Sequence, residues 1–316
     1  MRSRKMLRLL GPLALIPTLL SCGQDKLDGG SRVGPSPPAR LQTPRIAFTS
    51  NRTGTGGIYL DDYASGVIRR ISPAGAYEQD PAISADGTRI AFARYETDGR
   101  LHLMTMAVDG SDRLVVTDDP AYNDFGPHWS PNGHDLVFTR IDRSTAKQDV
   151  YTIHLADRSL VRITTYGTAR ALDWSPDGTK LLFMRYVGGL DDVETIGPDL
   201  SGEKSLYGML AWEIVGGDYS PDGSQIVLTY GRDVLSPRLD LSSADGNNRH
   251  PIVNETDLSQ IGRPSWSPDG RLIVFAGHPK NETDHLYAIT PDGQTDPQII
   301  LGGTGIDQAP DWGPKP

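Results

Sequence analysis

Four polar residues recur at one repeat position, each directly before an aromatic: His128 before Trp129, Asp173 before Trp174, Asp218 before Tyr219 and Asp311 before Trp312. Ala82 before Ile83 and Ser265 before Trp266 complete the set of six. Three carboxylates and an imidazole brought to a common axis would form an acid/base cluster or a polar channel. The same groups would equally serve as hydrogen-bond partners for neighbouring segments, because buried polar atoms need partners. Elsewhere, His278 and His285 flank Glu282 and Asp284, a metal-capable set whose spacing fits no helix or hairpin ligand rule and whose default reading is a solvated loop. No G-x-S-x-G, H-E-x-x-H or P-loop pattern occurs. No repeat gathers enough oxygen ligands for calcium, and the reading is of a chain without a cofactor.

Positioning those residues falls to a repeat of about 45 residues. The turn after each aromatic position carries Ser84, Ser130, Ser175, Ser220, Ser267 and Gly313, within segments such as GPHWSPNGH, ALDWSPDGT and RPSWSPDGR. An apolar strand follows each of the first five (RIAFAR, DLVFTR, KLLFMR, QIVLTY, LIVFAG), and a sixth copy, RIAFTS, stands at Arg45 to Ser50. Third strands such as GIYLDD, LHLMTM, DVYTIHL and HLYAI come next, then short fourth strands such as VIRRIS, RLVVT, LVRIT and PQIIL. Short β-branched runs between Gly, Asp and Pro turns, with no helical period, specify an all-β fold. Four antiparallel strands per unit at this period make a propeller blade, so the expectation is a six-bladed β-propeller over residues 44–316. The first unit begins at a second strand and the last stops after a first strand. Pairing Ala309 to Trp312 with Arg45 to Ser50 would complete one blade and close the ring, leaving no bare end face. The aromatic positions are expected to pack blade against blade.

Antiparallel strands alternate ends, so the loops between second and third strands share a face with those leading into each first strand. That face carries Arg52, Asp80, Asp124, Arg170, Arg263 and Asp307 on loops that vary while the strands repeat, where a rigid scaffold places recognition. These six are the candidate binding residues, and His128, Asp173, Asp218 and Asp311 are the candidate inner polar positions.

Residues 1–21 hold Arg2, Arg4, Lys5 and Arg8, then an apolar run from Leu9 to Leu20 interrupted by Gly11, Pro12 and Pro17. This is the pattern of a secretory signal, too short and broken to span a bilayer as a stable helix. Its end, Leu19-Leu20-Ser21-Cys22, resembles the lipobox of bacterial lipoproteins, and Cys22 is the single cysteine. The resemblance implies cleavage before Cys22 and acylation there, an anchor of two or three chains. An ordinary cleaved signal with an incidental cysteine is the alternative. Gly23, in place of the Asp that retains some lipoproteins in the inner membrane, favours the outer membrane facing the periplasm. Residues 22–43 then form the lipidated cysteine and a Gly/Pro/Ser-rich tether with a reach of about 25 Å. Without residues 1–21 the chain has 27 basic against 40 acidic residues, a formal net charge of −13. So acidic a body argues against nucleic acid, and against any membrane contact beyond the lipid anchor.

P-x-W-S-P-D-G followed by an I-x-F strand resembles the TolB-like propeller repeat family, over residues 44–316 and with Asn51-Arg52 extending the match. Members use the propeller mainly to bind proteins. The family's namesake is soluble in the periplasm, links partners there to a peptidoglycan-associated lipoprotein, and carries an α/β domain ahead of its propeller for which this chain has no room. The expected function is therefore a monomeric, non-enzymatic envelope module recognising a protein, peptide or glycan. An envelope glycan lyase or hydrolase using Asp173, Asp218 and Asp311, and a component of a Tol-type system, are the alternatives.

Overall fold

A computed structural model describes residues 44–208, 210, 213–231, 237–253, 258–279, 282–303 and 305–314. The signal, Cys22 and the tether lie outside the described residues. Among those described, 24 strands form six four-stranded antiparallel sheets arranged as the blades of a propeller. The innermost strands of blades one to six are Asp307–Gly313, Glu78–Ile83, Tyr122–Trp129, Ala169–Trp174, Glu213–Tyr219 and Leu258–Trp266. The sixth-repeat remnant does close the ring, since Asp307–Gly313 pairs antiparallel with Arg45–Ser50, with Ile46 opposite Trp312 and Ala47 opposite Asp311.

The second strands read as unbroken apolar runs because both of their faces are covered by neighbouring blades. Ile46, Ala47 and Phe48 have no exposed surface, and Leu136, Val137 and Phe138 repeat the pattern. Six apolar clusters fill the six gaps between blades. One sets Trp129 and Phe138 of blade three against Leu103 of blade two, and another sets Trp312 and Phe48 of blade one against Val274 and Leu286 of blade six. The aromatic row is therefore packing.

The Ser-Pro-Asp-Gly turn holds itself together. In the third repeat Ser175 Oγ donates to Asp177 Oδ1 at 2.6 Å and accepts the Lys180 N–H at 2.9 Å, while Gly178 takes the left-handed conformation, φ 70°, that favours glycine. Its Ser175 hydroxyl bond holds the Asp177 carboxyl below the usual carboxylate range.

The fourth strands are shorter than the sequence runs: VIRRIS pairs only over Val67–Arg70, RLVVT over Leu114–Val115 and LVRIT over Leu160–Arg162. Each run ends in a hydroxyl that replaces the ladder. Ser72, Thr117 and Thr164 accept the N–H groups of Ile58, Leu103 and Val150 at 2.7, 3.0 and 3.0 Å. The donors are satisfied without further backbone pairing.

Candidate functional site

In all six innermost strands the register with the second strand slips shortly before the aromatic position, and in blade six it slips a second time nearer the strand start. Four blades have a proline there, Pro81, Pro127, Pro264 and Pro310, which has no N–H to give the ladder. Asp80, Gly126 and Ala309, just before three of these prolines, have φ of 54°, 61° and 46°. Such bulges bend a strand and re-aim its side chains. Around the propeller axis they build a funnel on the loop face, about 660 Å³ with the open solvent of its mouth included.

The four prolines, Arg170 and Arg263 line this funnel together with Val215, which is 46% exposed. Asp80 approaches the Arg263 guanidinium at 3.6 Å. Arg170 donates its Nε–H to Gln148 at 3.2 Å, and burial together with the nearby Arg263 cation lowers its pKa. Asp191, next to this cluster, is pushed up to about 6 by burial, with the Glu213 carboxylate adding to the effect.

The inner polar residues form the waist beneath the funnel. Asp173 Oδ2 accepts the Tyr219 N–H at 2.9 Å, Asp218 Oδ2 the Trp266 N–H at 2.7 Å, and Asp311 Oδ2 the Ile83 N–H at 2.7 Å. Ser265 Oγ does the same for Trp312 at 3.0 Å. Each bond runs from one blade's inner position to the next blade's aromatic position, so the waist stitches the ring. His128 Nδ1 stands 3.7 Å from Asp173 Oδ1. His128 and Asp311 also line a second cavity that opens on the opposite face.

The six loop-face candidates divide into two groups. Asp80, Arg170 and Arg263 meet at the funnel. Arg52 instead grips Asp307 with two bonds of 2.8 and 2.7 Å inside blade one, and Arg140 grips Asp124 with bonds of 2.7 and 2.8 Å inside blade three. The Arg140 guanidinium also lies 4.6 Å from the ring centre of Tyr122. The histidine segment is not a solvated loop. His278 and His285 lie in paired strands of blade six, His285 and Asp284 are buried, and His278 Nδ1 meets Asp284 at 2.5 Å. Among the described residues no group of three or more His, Cys, Asp or Glu is placed to hold a metal ion. Val215 and the proline ring were missed as site residues; the signal available was a proline recurring two positions before the aromatic.

With this geometry in view, the TolB β-propeller domain model matches residues 36–147 and 121–316. The chain belongs to that family. The TolB homolog of Chlorobium luteolum is 34% identical over 145 residues, which cover 44% of this chain and 31% of that protein. The Tol-Pal system protein TolB of Francisella tularensis subsp. mediasiatica is 29% identical over 189 residues, 58% of this chain and 41% of that protein. The chain thus spans under half the length of these curated relatives. The crystal structure of TolB from Acinetobacter baumannii superposes with a TM-score of 0.73 at 22% identity, covering 86% of this chain and 67% of that one. That superposition shows a common propeller fold.

Proposed function

We propose that this TolB-type propeller is a non-enzymatic binding module of the cell envelope, held by acylated Cys22 and the tether of residues 22–43 at the outer membrane facing the periplasm, and that it recognises a protein or peptide partner at the funnel. The observation that carries this reading is the division of polar groups. Around the waist, Asp173, Asp218 and Asp311 each commit a carboxylate oxygen to a backbone amide of the next blade, whereas Arg170, Arg263 and Asp80 gather at an open concave mouth beside exposed Val215. Charged groups around a small apolar patch suit a protein surface. Two relatives with TolB names support the same reading, one of them named for the Tol-Pal system.

A glycan lyase is the second reading, favoured by fold likeness to the oligogalacturonate lyase of Vibrio parahaemolyticus, with a TM-score of 0.58 at 13% identity. Pull-down from mildly solubilised envelopes separates the two. The wild-type chain is expected to retain a stable partner that Val215→Asp loses while its melting curve is unchanged. Retention of the same partner by Val215→Asp, or turnover of an envelope glycan that vanishes in Asp173→Asn/Asp218→Asn, would overturn the binding reading.

A further inference from the structure

Most arginines on this propeller that meet an acid do so tightly. Arg52, Arg140, Arg162 and Arg185 each place a guanidinium nitrogen 2.6 to 2.7 Å from a carboxylate oxygen. Arg263 does not. It leaves the innermost strand of blade six, and its Nη1 stops 3.6 Å from Asp80 of blade two, beyond hydrogen-bonding reach. Its Nη2 lies 2.7 Å from the point where a β-carbon on Gly126 would stand, and Gly126 belongs to blade three, opposite blade six in the ring. Gly216 of blade five clears the other end of the path: a β-carbon there would stand 3.0 Å from Arg263 Cα and Cγ. Two glycines, one beside the stem and one under the head, therefore make room for a side chain that lies across the mouth of the channel.

We propose that the funnel is a binding site for small aliphatic carboxylates, received between the guanidiniums of Arg263 and Arg170, with Arg263 as a movable bar across the channel. A carboxylate offers two oxygens to a guanidinium in parallel, a better match than the distant Asp80 oxygen. Its arrival relieves the repulsion between the two cations, the same repulsion that helps lower the Arg170 pKa. The aliphatic part meets Val215, Ile214 and the proline ring. Beneath, the aspartates of the waist repel a second negative charge, so the site takes monoanions in preference to phosphate. This site does not depend on a protein docking at the same face, because a free carboxylate suffices to occupy it.

The test is calorimetric titration of the full chain in detergent with 4-methylpentanoate, using 4-methylpentanamide and inorganic phosphate as controls. Saturable binding of the carboxylate in the millimolar range is expected, with no binding of the amide and weaker binding of phosphate. Arg263→Met is expected to weaken the carboxylate by about tenfold without moving the melting temperature, and Arg263→Lys to recover part of that loss. Asp80→Asn, which removes the competing acid and leaves both arginines in place, is expected to tighten binding, and it decides the matter if Arg263→Met does not fold. Equal binding of the amide, no saturation by the carboxylate, or an affinity that neither Arg263→Met nor Asp80→Asn changes would overturn the proposal.

Discussion

Deleting residues 308–316 is expected to remove the cooperative unfolding transition altogether. The segment supplies the innermost strand of blade one, paired with Arg45–Ser50 from Asp307 to Gly313. It also carries Trp312, 1% exposed, whose ring packs 4.9 Å from that of Tyr63 and joins the cluster between blades one and six. Both stitches made by this strand go with it: the Asp311 bond to the Ile83 N–H and the Trp312 N–H bond to Ser265. Trp312→Ala alone is expected to cost about 3 to 5 kcal/mol. A whole strand with its pairing exceeds that, and total domain stability is only about 5 to 15 kcal/mol. Circular dichroism melts with size-exclusion profiles check this. A truncated chain that stays compact and melts cooperatively within a few degrees of wild type would refute the clasp.

Asp124→Ala is expected to destabilise by about 3 to 5 kcal/mol, because it strands a buried cation. Asp124 and Arg140 are 2% and 7% exposed, and their bidentate pair has no solvent to fall back on. Arg140 is further enclosed by the rings of Tyr122, Phe138 and Tyr151, at 4.6, 5.6 and 5.3 Å from their centres, so it has little room to swing out. Asp124→Leu/Arg140→Met should regain most of the loss, since the paired apolar side chains remove both desolvated charges at once. Urea unfolding of Asp124→Leu, Arg140→Met and the double variant measures the coupling. A loss under about 1 kcal/mol for Asp124→Ala, or no recovery in the double variant, would show that the pair is not the buried unit described here.

Much of the ring was readable because its physics repeats. The same turn needs a Ser, an Asp or Asn, and a Gly five times over, and the second strands are apolar on both faces because every blade has two neighbours. The third strands of blades four and five, Leu190–Ile196 and Pro237–Ser243, gave no such signal. Their sequences, LDDVETI and PRLDLSS, place Asp192, Glu194 and Asp240 inside the sheet, where each acid is met by Ser205, Arg185 and Arg238 respectively. Acids paired within the sheet, from a neighbouring strand or from two residues along the same one, erase the alternation by which a strand is recognised.

The loop-face residues show the same limit. Asp124 and Arg140 stand directly opposite in register, so aligning the first and second strands of that blade would have revealed their pairing. Arg52 and Asp307 are 255 residues apart and meet only because the clasp brings the chain ends into one blade. Arg263 was legible as a loop-face residue, but its course across the channel was not, since that depends on bulges in its own strand and on two glycines in other blades that clear its path.

The most direct test of the funnel as the working surface is site-resolved photocrosslinking in intact cells. A benzophenone side chain is placed at Val215 in the mouth and, separately, at Leu114 on the outer edge of blade two, which is 50% exposed. One discrete adduct is expected from position 215 and none from position 114. An adduct from position 114 with none from 215 would contradict it and move recognition to the outer edge of the blades.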